Sequence, residues 1–270
     1  NLDFTHVAPD GNVNITAAWV SRRGYYPENL NKENQDSYSF HPEFGERPPG
    51  KSQSFFGVYD GHGKDGHHIA WYCRDNLPDT VLGEMDEKVL LQDGSNALVR
   101  GVVQLARKVS GSFISLGKRD SSNLSSGTLP TLERVDSYGK SKKGSTKIIY
   151  EDEENTRKLS TDGLREALGQ GPASEVFLSN DEIKDALRIA HVKCNDSLKS
   201  TKHINSSLSG STAISILLRD GTMFVNNVGD SRAVLVSQQP DGKYKVNALS
   251  NDQTPYRKDE RERCKAQGAA

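Results

Sequence analysis

The chain has 270 residues, 34% of them hydrophobic, with a mean hydropathy of -0.69, so it can bury a sizeable core while part of its length lies outside one. Lys plus Arg (35) nearly balance Asp plus Glu (36), which removes any global electrostatic case for nucleic acid or an anionic membrane, and no apolar run approaches the ~20 residues that span a bilayer. With no basic-then-apolar leader and three well-separated cysteines (Cys73, Cys194 and Cys264), the expected setting is intracellular, cytoplasmic or nuclear, without a disulfide framework or a zinc site.

In chain order, Ile15 to Val20 reads as a short apolar strand. The turn-rich stretch SRRGYYPENLNKENQDSYSF follows and ends in a second strand at Asp36 to Phe40. Next comes FFGVYDGHG, Phe55 to Gly63. Its aromatic and β-branched run predicts a buried strand that stops abruptly at an acid, a glycine, a histidine and a glycine. Asp60 at a strand end can ligate a hard cation, Gly61 lets a backbone carbonyl approach, and His62 carries a proton near neutral pH. Taken alone, Asp60-Gly61 reads more readily as an ordinary turn. Asp36 gains interest because it would converge on Asp60 if the two strands pair. Arg22, Arg23 and Lys32 are the nearby cations able to meet an anionic substrate.

A helix is predicted over Gly66 to Leu77, with Ile69, Ala70, Cys73 and Leu77 on one face and Pro78 after its end. His67 and His68 fall in its first turn and read as surface residues, since adjacent positions cannot share a helix face. A second helical pattern covers Ala97 to Val109. From Ser110 to Ser174 the composition turns to Ser, Gly, Lys and acids, which predicts a low-complexity, disordered insertion inside a single domain spanning the chain. At Ser179 the S-x-x-E spacing with Glu182 predicts a capped helix to about Leu198, with a buried stripe of Ile183, Leu187, Ala190, Cys194 and Leu198.

The last third is β-rich. AISILL, MFVNNV and AVLVS are expected to form a three-strand meander through tight turns at Asp220-Gly221 and at Gly229 to Arg232. Asp230 lies at the second turn, either facing the acidic cluster or pairing with Arg232 as a turn residue. Three aspartates at strand ends of an antiparallel core flanked by helices make a coherent hard-metal hypothesis.

The motifs NQDS (Asn34 to Ser37), FFGVYDGHG, SGSTA (Ser209 to Ala213) and VNNVGDSRAVL (Asn226 to Leu235), in that order, resemble the metal-dependent protein serine/threonine phosphatases of the 2C type. RGYYP, KENQDS and DQTPYRKDERER resemble a plant-like subgroup. The resemblance covers most of the chain outside the insertion. It implies an α+β fold, a four-layer αββα sandwich with two central, mainly antiparallel sheets. It further implies hydrolysis of phosphoserine and phosphothreonine at two Mg or Mn ions, with a third, weaker metal site. On this resemblance Asp60 bridges the ions, Gly61 supplies a backbone ligand, Asp36 ligates metal or holds its water, and Asp230 serves the third site. His62 protonates the leaving oxygen. Gln35 stands where some members have glutamate, and the phosphate-holding arginine has no clean counterpart, so Arg23, with Arg22 or Lys32 beside it, is the candidate cation. Partners would be phosphoprotein substrates, met by a monomeric catalytic domain.

The family carries further acidic motifs beyond the point matched by CKAQGAA, so the chain is expected to be a fragment lacking roughly the last third of the domain, inactive by itself. The alternative is a pseudophosphatase or regulatory binding module of the same fold. The calcineurin-like metallophosphatases need GDxVDRG and GNH motifs, which the sequence lacks.

Overall fold

The computed structural model describes residues 2–8, 11–45, 51–92 and 177–269. Contacts divide the chain into one unit of Asn1–Met85 with Leu178–Ala270 and another of Asp86–Phe177. The account below concerns the first. The second helical pattern and the insertion expected between Ala97 and Ser174 lie outside the described residues.

In chain order the elements are β1 (Leu2–Ala8), β2 (Gly11–Ala17), β3 (Asp36–His41), β4 (Gln53–His62), α1 (Gly66–Gln92), α2 (Asn180–Lys199), β5 (Gly210–Ser211), β6 (Ala213–Arg219), β7 (Thr222–Val228), β8 (Val234–Gln238), β9 (Tyr244–Ala248) and α3 (Lys258–Ala266). A five-stranded antiparallel sheet in the order β3-β4-β6-β7, with β5 paired to the end of β4, is the centre. β1 with β2 and β8 with β9 make separate two-stranded sheets. The α+β class with antiparallel sheets is therefore present as expected.

Period-two alternation along β4 sorts its side chains. Phe55, Gly57, Tyr59 and Gly61 are buried, whereas Val58, Asp60 and His62 are exposed. Against the buried face pack Ile69, Ala70, Leu77 and Val81 of α1 and Ile183, Ala186, Leu187 and Ala190 of α2, all nearly inaccessible. The other face carries an aromatic cluster. Phe40 and Phe56 lie 5.2 Å apart, Phe4 of the first hairpin is 6.2 Å from Phe40, and Trp19 is 5.0 Å from Phe40. That cluster ends where the charged tip of the strand begins.

Three boundaries differ from expectation. The strand expected over Ile15 to Val20 is β2, Gly11–Ala17, whose pairing with β1 ends at Ala17, leaving Val20 exposed. α1 does not stop at Leu77 but continues through Pro78 to Gln92. An interior proline costs about 3 kcal/mol, yet Leu77, Val81 and Met85 extend the buried stripe past it, each contributing about 1.5–3 kcal/mol. Asn76 Nδ2 on the Tyr72 carbonyl and Thr80 Oγ1 on the Asn76 carbonyl add bonds around the break. The expected meander also ends early, because β8 pairs with β9 rather than with β7. At Gly229 (φ 100°) the chain turns away, exchanging backbone and side-chain bonds with Gln253, and Ala233 N donates to Ser250 Oγ. The strands β1 and β9 and the helix α3 were not expected from the sequence pattern.

α2 begins on a complete capping box. Ser179 Oγ accepts from Glu182 N at 3.3 Å, and Ser179 N donates to Glu182 Oε2 at 2.8 Å. Ser179→Ala is expected to lower unfolding stability by about 1 kcal/mol, read as a lower urea midpoint at unchanged m-value; an unchanged midpoint would show that the cap contributes nothing.

Candidate active site

The register of β3 on β4 sets Asp36 directly opposite Asp60. Cross-strand partners share a face, so Asp36, Asp60 and, two residues further, His62 all point to the open side of the sheet. Each is held from its backbone. Asn34 Oδ1 accepts from Asp36 N at 3.2 Å, an Asx-type turn that starts the strand. Asp60 N donates to Thr212 Oγ1 at 3.0 Å, and Thr212 N donates back to the Asp60 carbonyl at 2.9 Å. Thr212 Oγ1 in turn shares a 2.6 Å hydrogen bond with Ser231 Oγ. The SGSTA and GDSR motifs thus converge on the backbone of Asp60.

The turn after Asp60 needs glycine for a steric reason. A Cβ on Gly61 would stand 2.2 Å from the Gly66 carbonyl oxygen and 2.6 Å from that of Gln35, because the first turn of α1 and the strand before β3 both close on it. Gln35 is committed to this turn. Its side chain donates to the Gly63 carbonyl at 2.7 Å, and its own carbonyl accepts from Gly61 N at 3.1 Å. Gly210 opposite His62 leaves room for the imidazole, since a Cβ there would lie 2.9 Å from His62 Nε2.

These residues line a cleft of about 220 Å³. Asp36, Asp60, Gly61 and His62 share it with a wall from the preceding loop that includes Tyr26, Lys32 and Glu33. Lys32 Nζ sits 3.8 Å above the Tyr26 ring, a cation-π contact that orders the ammonium. Arg23 is placed differently. Its Nη1 donates to the carbonyls of Leu30 and Lys32, so it braces the wall from behind and does not line the cleft. Asp230 does not line the cleft either, but lies near enough to act electrostatically on Asp60. Arg232 does not pair with it; its guanidinium grips Asp252 with bonds of 2.9 and 2.5 Å.

Burial first, then the Asp36 and Asp230 charges, push the Asp60 carboxyl above the ordinary aspartate value of 3.8, while His62 acts in the opposite direction. Crowded carboxylates with this strain are relieved by a bound cation, and hard oxygen donors suit Mg or Mn. Among the described residues, however, no group of three or more His, Cys, Asp or Glu side chains gathers as a metal cage. The facing pair Asp36 and Asp60 with the Gly61 backbone fits part of the shell of one hard ion; a second ion requires oxygens beyond these.

Sequence reasoning missed the roles of Thr212 and Ser231, which carried no signal beyond membership of their motifs. It also misjudged His67. That side chain is only 15% exposed and its Nε2 lies 3.0 Å from Glu33 Oε2, fastening the loop wall to α1, while its ring lies 5.3 Å from Trp71.

Residues 172–270 match the family model described as protein phosphatase 2C. The chain is 30% identical over 268 residues to probable protein phosphatase 2C 35 of Arabidopsis thaliana, covering 99% of this chain and 49% of that protein. It is 26% identical over 207 residues to probable protein phosphatase 2C 75 of Oryza sativa subsp. japonica, covering 76% of this chain and 36% of that one. The chain therefore spans half or less of the length of these relatives. A crystal structure of serine-threonine phosphatase 2C from Toxoplasma gondii aligns with a TM-score of 0.41 at 15% identity, over 86% of this chain and 54% of that one.

Asp60 carries a testable stability signature. Its folded-state pKa lies above its unfolded one, so the folded protein binds more protons between the two, and stability falls as pH rises from 3.8 through the raised value. Asp60→Asn is thus expected to raise the Tm of the metal-free protein at neutral pH, with the gain fading below the ordinary aspartate pKa. Calorimetry across that range checks it, and a lowered Tm at neutral pH would show the carboxylate to be stabilising.

Proposed function

The chain is related to the 2C-type protein phosphatases, plant members among them, and on that premise we propose that the protein hydrolyses phosphoserine and phosphothreonine in phosphoprotein substrates, acting as a monomer. The observation that carries the reading is the cross-strand pairing of Asp36 with Asp60 in a cleft that also holds His62. Asp60, Asp36 and the Gly61 carbonyl would hold Mg or Mn, with Asp230 serving a more weakly bound ion. When bound, such ions would neutralise phosphate oxygens and bring water towards ionisation near neutral pH.

The chain's own residues do the rest. Lys32, ordered on Tyr26, faces the cleft and can hold a phosphate oxygen. Arg23 supports that contact by fixing the carbonyls at either side of the loop that bears it. His62, exposed on the same face as Asp60 with glycine opposite its ring, gives a proton to the serine or threonine oxygen as it leaves. A hydroxyl leaving as alkoxide is a poor group, so this proton matters most for alkyl phosphates. General acids of this kind contribute about 10²–10⁴-fold.

The test is turnover of a phosphothreonine peptide by the full-length protein with Mn. Asp60→Asn is expected to abolish metal-dependent activity. His62→Gln should lower kcat by about 10²–10⁴-fold on the peptide and by less on an aryl phosphate, whose leaving oxygen needs no proton. Activity that survives both chelation and Asp60→Asn would overturn the reading, and a folded, inert full-length protein would favour a binding module.

A further inference from the structure

The cleft wall carries opposite charges on neighbouring residues. Lys32 and Glu33 both line the opening with Asp36 and Asp60, so an arriving phosphate meets the Lys32 ammonium among three carboxylates. A Glu33 carboxylate turned onto Lys32 would compete with phosphate for the same donors and repel the anion as well. The two side chains are held apart. Lys32 Nζ lies 3.8 Å above the Tyr26 ring, whereas Glu33 Oε2 lies 3.0 Å from Nε2 of His67, in the first turn of α1. An imidazole Nε2–H can donate to a carboxylate whether the ring is neutral or charged. His67 is the anchored partner: its side chain is 15% exposed against 64% for Glu33, and its ring stands edge-on at 5.3 Å from Trp71. The backbone on either side of Glu33 has supports of its own. Arg23 Nη1 donates to the Lys32 carbonyl at 3.3 Å, and Asn34 Nδ2 donates to Ser21 Oγ at 2.6 Å. What His67 decides is therefore the direction of the Glu33 side chain.

We propose that His67 is a positioning residue for phosphate binding: it holds the Glu33 carboxylate against α1 and so leaves the Lys32 ammonium free for the substrate. This rests on the reading of Lys32 as the cation that holds a phosphate oxygen. His67 acts through Glu33 and touches neither the phosphate nor the leaving oxygen. Without the imidazole, Glu33 swings to the nearest cation, its chain neighbour Lys32, and the cleft gains a competing anion where phosphate must enter. The loss is one of affinity, so KM moves more than kcat. Neutralising Glu33 removes the competitor, so the same loss is reversed by a second substitution.

The experiment measures the binding of inorganic phosphate to the full-length protein with Mg by titration calorimetry, and the turnover of a phosphothreonine peptide by the same samples. His67→Ala is expected to weaken phosphate binding by about tenfold, the loss of one hydrogen bond to a charged group, and to raise KM for the peptide in step. His67→Gln, which keeps a donor within reach of Glu33, should retain most of the affinity. The double variant His67→Ala with Glu33→Gln should recover it, a rescue that a merely structural contact would not give. Glu33→Gln alone should bind phosphate at least as tightly as wild type, and it tests the proposal even if His67→Ala fails to fold. Unchanged binding in His67→Ala, a double variant as weak as His67→Ala, weaker binding in Glu33→Gln, or a wild-type protein that takes up no phosphate would each overturn the proposal. Phosphate binding that follows the expected pattern while the peptide stays intact would strike the phosphatase reading and leave the role of His67 standing.

Discussion

Asp36 and Asp60 are forced into one cross-strand pair by the register of β3 on β4, an arrangement of like charges that ordinarily weakens a sheet. Everything around the pair works to keep it in place. The apolar residues of β4 fall on one face and the carboxylates on the other, so a slip of one residue would bury Asp60 and expose Tyr59. The helices α1 and α2 grip the apolar face and prevent that slip. Local electrostatic strain is thus maintained by packing on the opposite side of the same strand, a common division of labour at functional sites.

The second support is polar and comes from far along the chain. Thr212 makes two hydrogen bonds to the backbone of Asp60, and Ser231 bonds Thr212. Neither hydroxyl lines the cleft. They fix the strand end from its flank while the carboxylate stays free to face the opening. Glu33 and His67 perform a comparable task for the loop wall, joining it to the start of α1.

Much of this was legible in the sequence because strand chemistry is local. The run from Phe55 to Tyr59 announced a strand, its abrupt polar end announced a site, and Ser179 with Glu182 announced a helix start. Strand pairing was less legible. The GDSR turn read as a hairpin because its neighbours on either side are apolar, yet a distant partner, Gln253, captures Gly229 and sends β8 to β9. Pro78 read as a stop because propensity was weighed without the buried stripe that continues beyond it. Arg23 read as the natural phosphate cation from its charge, and nothing in its spacing indicated that two backbone carbonyls would claim it while Lys32 faced the cleft.

β4 is a central strand whose second neighbour, β6, comes late in the chain; Asp60 and its partner Thr212 are 152 residues apart. Closing so long a loop has little thermodynamic penalty compared with a shorter one, since each doubling adds only about 0.6 kcal/mol. The timing of synthesis is another matter. At about 5–20 residues per second, a ribosome needs roughly 8–30 s to deliver β6 after β4 has emerged. During that interval β4 has only β3 to pair with, and its other edge waits for β6. The nascent strand that will carry the site therefore waits with one edge unpaired, an exposure that chaperone cover would protect.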